Sequence, residues 1–378
     1  MAVLAVLLMK RRRHLFNLGI LLILLSMSEV LTDEIAPSPE DVKALDSDEQ
    51  QSAAAGSTCV STDAVSMQLR WLRNGQFAGY YAAQALGYYQ EECLDVTLLQ
   101  RRASTTAEQT VLNGDAEFGI PWAMSDIALR EKNASSYKTI AQIFRRPGNV
   151  VMASHLHVPN NITSLADISK AAQAMGRPVR MGATDAIYSI WARLSQLGVK
   201  TCGVYRSSSA GGDPTCGPDD ELEIFQRELS GVKNIKVGID DPAFADIRSG
   251  HVTDLSDILR AEAADGDIVG STDRVKLINS GGVNLLEDGV CVSEAWLSRP
   301  GNIGIARRFL KATMRGWIYC RDSPRACAEA AVPTGGKDQR DFLFQVIEVN
   351  KLIWPSALGV GWIDVEEFQD MYDYVAAT

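Results

Sequence analysis

From Ser66 onward, apolar positions fall into short β-branched runs that alternate with longer stretches of helical spacing. "SMQLRWL" predicts a strand, residues 76–89 a helix, and "LDVTLLQ" a second strand. A short helix "TTAEQTVLNGD" follows, closed by Asn113-Gly114, then a strand "AEFGI" and, after Pro121, a helix "WAMSDIALREK". "YKTIAQIF" and "VVMASHL" are strands on either side of Pro147-Gly148. The alternation continues with helix "SLADISKAAQAM", strand "VRMGAT", and helix "DAIYSIWARLSQLGV" with Asp185 as its N-cap. "IKVGI" and "GDIVGST" predict strands, residues near 242–248 and 254–263 predict helices, "KLIN" is a short element, and "GVNLLEDGVCVS" reads as two strand pieces. From Glu294 helices dominate. Strand–helix units with short connections predict an α/β fold with mostly parallel sheets. In such sheets ligands bind beyond the carboxyl ends of strands. That rule selects the segments after "LRWL", "AEFGI", "VRMGAT" and "GDIVGS".

The first 65 residues follow different grammar. Lys10 to His14 form a basic run, followed by the apolar "LFNLGILLILL" from Leu15 to Leu25 and then small residues. This order predicts a signal peptide over residues 1–28, cleaved after Ser28, and hence a secreted or periplasmic protein. The run is well short of the ~20 apolar residues that span a bilayer. Left uncleaved, it would be a membrane anchor, the alternative localisation. Residues 29–65 read as a solvated linker rich in Ser, Ala, Asp, Glu and Pro.

Export makes disulfides reasonable for the seven cysteines, none of which has CxxC or metal-ligand spacing. Cys202–Cys216 would close a Gly/Ser/Pro-rich insertion over 202–220, and Cys320–Cys327 a helix end. The odd count leaves at least one thiol over. Asn133-Ala-Ser and Asn161-Ile-Thr are sequons.

A net charge of −10 and a pI near 5.0 exclude a nucleic-acid partner, which would need a basic face. GxSxG, Walker, HExxH and GxGxxG signatures are absent. Of four histidines, His14 lies in the signal region, His155 and His157 share one strand face without a third ligand, and His251 reads as solvated. Asp240-Asp241 and Glu287-Asp288-Gly289 read as solvated turns. No metal, cofactor or catalytic residue is expected. The aromatics say more. Asn74 and Gln76 stand at a strand-to-helix turn, Tyr80 lies one turn into the helix, and Trp122 and Tyr188 follow strands. Flat rings with a few amides describe a pocket for a small planar ligand. Tyr81, Tyr88 and Tyr89 are expected in the core.

"QFAGYYAAQALGYYQEECLDVTLL", "VLNGDAEFGI", "SDIALREK", "IAQIFRRPGNVVMAS", "EDGVCVSEAWL", "ARRFLKATMRGWIYCRDSP" and "VNKLIWPSALGVGWIDVEEFQ" resemble periplasmic solute-binding proteins of nitrate, sulfonate and thiamine-precursor ABC importers. The resemblance runs from about Gln68 to the C-terminus. It implies a two-lobed, type II Venus-flytrap fold. One lobe would comprise residues 66–150 plus 284–378 and the other residues 151–283, with crossovers near 148–156 and 280–285. The ligand it implies is a thiamine-related pyrimidine such as formylaminopyrimidine or hydroxymethylpyrimidine, with riboflavin or a sulfonate as alternatives, and the partner an ABC permease. Trp122 and Tyr188 would stack on the ring. Asn74, Gln76 and Asp126 would read its nitrogens, while Tyr80 and Thr272 would line the cleft. The superfamily also contains the fungal thiamine pyrimidine synthase, which works with pyridoxal phosphate. The positions matching that enzyme's Lys and His are Pro121 and Ser125 here, and its cysteine-rich run is reduced to Cys291. The resemblance therefore implies a binder, with the synthase as the alternative.

Overall fold

The computed structural model describes residues 59–101, 105–122, 136–154, 162–183, 188–203, 216–226, 246–254, 275–278, 285–332 and 337–376. The chain divides into Met1–Val60 and Ser61–Thr378, and all described elements belong to the second unit. The strands are β1 (Asp63–Gln68), β2 (Leu94–Leu99), β3 (Phe118–Gly119), β4 (Tyr137–Gln142), β5 (Asn149–Ser154), β6 (Val179–Ala183), β7 (Thr201–Cys202), β8 (Leu222–Gln226), β9 (Ile247–His251), β10 (Val275–Ile278) and β11 (Gly289–Ser293). The helices are α1 (Ala78–Ala85), α2 (Tyr88–Glu91), α3 (Ala107–Leu112), α4 (Ile168–Met175), α5 (Tyr188–Gln196), α6 (Glu294–Leu297), α7 (Asn302–Asp322), α8 (Pro324–Ala331), α9 (Lys337–Ile353) and α10 (Val365–Ala376).

Two sheets result. The first has the order β2-β1-β3-β11-β4, with β1 parallel to β2 and β3, and β11 antiparallel to β3 and β4. The second has the order β10-β5-β9-β6-β8-β7. Here β6 runs parallel to β8 and β9, whereas β5 runs antiparallel to β9 and β10. The chain leaves the first sheet after Gln142, joins the second at Asn149, and returns between Ile278 and Gly289. The antiparallel pairs involve the strands on either side of these passages.

Most predicted elements form, with instructive differences. The helix expected over 76–89 is two helices. Gly87 adopts φ 77°, a left-handed turn that glycine makes without a Cβ clash. The predicted strand 66–72 starts earlier and ends at Gln68, so Arg70 and Trp71 lie in the connection beyond it. Residues 247 and 248, assigned above to a helix, belong to β9. There Ile247 and Ser249 are buried on one face, and pairing with β5 and β6 overrides local propensity. Of the two strand pieces expected in 282–293, β11 is the one among the described residues, which begin at Leu285. Leu285–Asp288 is an irregular connector with a single bridge from Asp288 to Trp122. The strand "IKVGI", the helix 254–263 beyond Asp254, the strand "GDIVGST" and most of the helix after Pro121 lie outside the described residues, as do residues 1–58, His155, His157 and the asparagines of both sequons.

The first sheet packs under α1, α7, α8 and α9. Phe118 stacks on Phe309 at 4.0 Å, Phe309 on Tyr89 at 5.5 Å, and Trp296 meets Phe118 edge-on. Each of these rings, when fully buried, contributes roughly 1.5–3 kcal/mol over exposure. The Tyr89 hydroxyl shares a 2.9 Å hydrogen bond with Thr313 inside this core, and Tyr81 is buried in the same core, as expected from the sequence. Tyr88 is only partly buried, with Arg315 over its ring. Arg308 of α7 pins the starts of β1 and β2, donating to Asp63 at 2.5 Å and to the Glu92 and Cys93 carbonyls. Cys202–Cys216 and Cys320–Cys327 are disulfides as expected, Cys59 and Cys93 are also disulfide-bonded, and Cys291 is a buried cysteine outside these bonds.

Helices α1 and α7 cross at two glycines. A Cβ on Gly316 would stand 2.0 Å from the Gly79 carbonyl oxygen, and one on Gly79 would enter the Trp317 ring. Neither backbone nor a fully buried indole can yield cheaply. Gly316→Ala should therefore lower stability by roughly 1–3 kcal/mol, the usual cost of overpacking, read as a shift of the urea midpoint at unchanged slope.

Candidate functional site

The carboxyl ends of β1 and β3 lie side by side, since Gln68 pairs with Gly119, and β11 starts next to them because it runs the other way. Three connections therefore converge. The segment after β1 carries Arg70, Asn74 and Gln76. The segment after β3 carries Trp122. The segment before β11 carries Glu287 and Asp288. Gly119 lets α3 lie against β3, where a Cβ would meet the Ala107 carbonyl at 3.0 Å. That closeness brings buried Glu108 of α3 to accept from the Trp122 backbone N–H at 3.0 Å. The bridge to Asp288 fixes Trp122 from the other side.

At the centre is Asp288. Its side chain is 4% exposed and faces the Arg70 guanidinium, with Nη1 to Oδ1 at 3.7 Å. Gln76 Nε2 donates to Oδ2 at 2.7 Å. The Arg70 guanidinium carbon lies 4.0 Å from the centre of the Trp122 ring, so cation, indole and carboxylate form one stack. Oδ1 of Asp288 and Nη1 of Arg70 are buried and make no hydrogen bond, their separation being too long for one. Burial raises the Asp288 pKa from the ordinary 3.8 to about 6; Arg70 opposes the shift and Glu287 adds to it.

Beside this centre, a polar chain runs between the two sheets. Glu287 accepts from the Gly148 backbone N–H at 2.8 Å and from Asn149 Nδ2 at 3.4 Å, and lies 3.5 Å from His251 Nε2. Asn149 Nδ2 also donates to Ser189, on α5, at 3.2 Å. His251 Nδ1 is 2.8 Å from Thr253 Oγ1, the Thr253 carbonyl accepts from Gln345, and Gln345 accepts from the Gly75 N–H. Both passages between the sheets are tied to α9 and to the turn that opens α1.

Of the residues singled out in the sequence, Gln76 and Trp122 come together here. Asn74 stands beside them as the cap of the turn Gly75–Phe77, its Oδ1 accepting from the Gln76 N–H at 3.0 Å. Tyr80 is a correction. It is buried in the core against Trp317, ring centres 5.6 Å apart, because α1 turns that face inward. Burial, and then the charge of Asp288, hold its phenol well above the ordinary range. Tyr188 opens α5, a position and no more, since its side chain is outside the description. Asp126 and Thr272 lie outside the described residues. Two solvated readings are overturned. Glu287 and Asp288 are buried because the connector threads between the sheets, and His251 ends a central strand, mostly buried against Gly148 and Phe144. Arg70 was hidden inside an expected strand. For Asp288 one signal was available: a carboxylate pair flanked closely by "NLL" and "VCV" is poor company for a solvated turn.

This geometry now meets its relatives. Over residues 74–178 the chain matches the NMT1/THI5-like family model. The riboflavin-binding protein RibY of Chloroflexus aurantiacus is 24% identical over 364 residues, covering 93% of this chain and 88% of that protein. The Candida albicans CA3427 gene product, described as having the generic periplasmic binding protein fold, superposes with a TM-score of 0.53 at 13% identity, over 84% of this chain and 91% of that one. This chain has the periplasmic binding protein fold. The aliphatic sulphonate-binding protein SsuA of Escherichia coli shares that periplasmic binding protein fold, with a TM-score of 0.55 at 10% identity over 84% of this chain and 87% of that one.

The raised pKa makes a signed prediction. Between about pH 4 and pH 6 the folded protein holds a proton on Asp288 that the unfolded chain has released, and above that the folded carboxylate is ionised, so this group's contribution is fullest below about pH 4 and is lost as pH rises through about 6. Asp288→Asn removes the loss while keeping an acceptor for Gln76. Its stability relative to wild type should rise by on the order of 3 kcal/mol between pH 4 and pH 7, measured by urea unfolding across that range. A difference independent of pH would contradict it.

Proposed function

We propose that this protein is an extracytoplasmic solute-binding protein of ABC-importer type that captures a small planar heteroaromatic. The observation that carries the reading is the Arg70–Trp122 stack beside Gln76 and buried Asp288, placed where parallel strands end. An indole half-buried under a guanidinium is a flat shelf, and an amide with a carboxylate supplies directional polar contacts for a ring edge. A thiamine-related pyrimidine is the first ligand class, in keeping with the match to the NMT1/THI5-like model. Riboflavin is the second, favoured by the likeness, over most of both chains, to a protein named for binding it. Tyr188, Asp126 and Thr272 complete the proposed cleft. Its two lobes, residues 66–150 with 284–378 and residues 151–283, would close on the ligand and present it to a permease. The chemistry expected of a synthase lacks its amine and imidazole, since Pro121 and Ser125 stand at those positions.

Thermal-shift and calorimetric titration with hydroxymethylpyrimidine, formylaminopyrimidine and riboflavin test this reading. One of them should stabilise the protein, and Trp122→Ala should weaken that ligand by on the order of tenfold, the worth of a good aromatic contact. Absence of any shift across the panel would dismiss the ligand class. A pyridoxal phosphate absorbance band in the purified protein would favour the synthase instead. For export, N-terminal sequencing of the mature protein should begin at Glu29, and a start at residue 1 in the membrane fraction would favour the anchor.

A further inference from the structure

Arginine on an aromatic shelf is ordinarily a trap for anions, because its fork matches two oxygens of a carboxylate, sulfonate or nitrate. Arg70 is placed for that role, with its side chain 23% exposed, yet it does not face the site as a bare cation. One face of the guanidinium lies on Trp122, and Nη1 confronts Oδ1 of Asp288 at 3.7 Å. Asp288 is 4% exposed and is steadied by Gln76 at 2.7 Å, so the countercharge is built in rather than recruited from solvent. In a region this poorly solvated, a fixed carboxylate at such range cancels much of the field that an incoming anion would feel. The neighbouring cation gives no substitute. Arg73 is engaged over the Tyr81 ring and by the Ala331 carbonyl, which accepts from it. Two further buried carboxylates adjoin these residues: Glu108, which accepts from the Trp122 N–H, and Glu287, the chain neighbour of Asp288.

We propose that Asp288 sets the charge class of the ligand: by neutralising Arg70 it makes the site accept an uncharged ring and refuse the small oxyanions that the same stack would otherwise hold. The proposal rests on the cleft reading above and sharpens it, separating this chain from the sulphonate binder whose fold it shares. It also predicts a change of specificity from one isosteric substitution. Asp288→Asn preserves shape and the acceptor for Gln76 while releasing the Arg70 charge.

The full chain is titrated by calorimetry with sodium butanesulfonate and sodium nitrate, in parallel with hydroxymethylpyrimidine and riboflavin. Wild type should show no anion binding at millimolar concentration. Asp288→Asn should bind at least one of the two anions with affinity raised on the order of ten- to a hundredfold, the worth of an uncovered charge-assisted pair. Adding Arg70→Gln to that variant should abolish the gain. Anion binding by wild type as tight as by Asp288→Asn overturns the assignment, as does a folded Asp288→Asn that gains nothing. If the variant does not fold, wild type decides alone: anion binding overturns the proposal, and ring binding without anion binding supports it. A gain of anion binding in Asp288→Asn without ring binding by wild type would leave the charge assignment standing and remove the ring reading, so the two fail separately.

Discussion

A pair of buried carboxylates, Glu287 and Asp288, holds the junction on which the rest of the described structure depends. They occupy the connector through which the chain returns to its first sheet, and they face opposite ways. Glu287 reaches the outward passage at Gly148 and Asn149 and meets His251 at the end of β9. Asp288 faces the ends of β1 and β3 through Arg70 and Gln76 and bridges Trp122 along the backbone. Two adjacent residues thus join both sheets, both passages and the candidate site. Buried charge is tolerated only where it is partnered, so this junction requires Gly148 to remain a glycine, with no Cβ to push into the His251 ring, and requires the turn after β1 to present its amide inward.

The aromatic core has a complementary task. Phe118, immediately beneath the site, stacks on Phe309 of α7, and α7 is packed against α1 at the Gly79–Gly316 crossing. The turn Gly75–Phe77 opening α1 is in turn held by Gln345 of α9. Rigid packing below therefore fixes where Gln76 and Trp122 stand. Groups that must recognise a ring to a fraction of an ångström need such support. Tyr80 shows how close core and site are: its ring belongs to the core with Trp317, while the Asp288 charge still raises its pKa.

This closeness explains what the sequence could and could not disclose. Alternating apolar runs carry the α/β architecture and both disulfide pairs, because periodicity and spacing are local properties. The strand-end rule selected Gln76 and Trp122, and both stand against Asp288, although Gln76 lies well beyond the end of β1. It failed for Tyr80, where an amphipathic reading cannot tell the face of a helix that looks at a site from the one that looks at a neighbouring helix. It missed Arg70 because β-rich neighbours hid the end of the strand, and Asp288 because burial of a carboxylate is decided by a partner more than two hundred residues away in sequence. The strand β9 was misread for a related reason: its strand character comes from pairing on both sides, and "IRSGH" has little of its own.

A carboxylate kept ionised in this setting is a local cost that an apolar residue would avoid. Burial, with the charge of Glu287, lifts its pKa, and Arg70, Gln76 and His251 hold it down to about 6. Violations of that kind cluster where recognition is required, because a fixed charge in a poorly solvated place discriminates between ligands more sharply than the same charge in water. Its part in the junction does not by itself call for a charge at Asp288, because the backbone bridge to Trp122 would survive its loss. Glu287 already makes the bonds to the outward passage, and the long 3.7 Å approach of Arg70 is weak as a structural tie. A charge that costs stability and faces Arg70 is in keeping with the proposed role in the site, beside the part its backbone plays in the junction. On that argument the Arg70–Asp288 pair, more than the aromatic shelf it shares with Trp122, is where the proposed choice between a ring and an anion would be made.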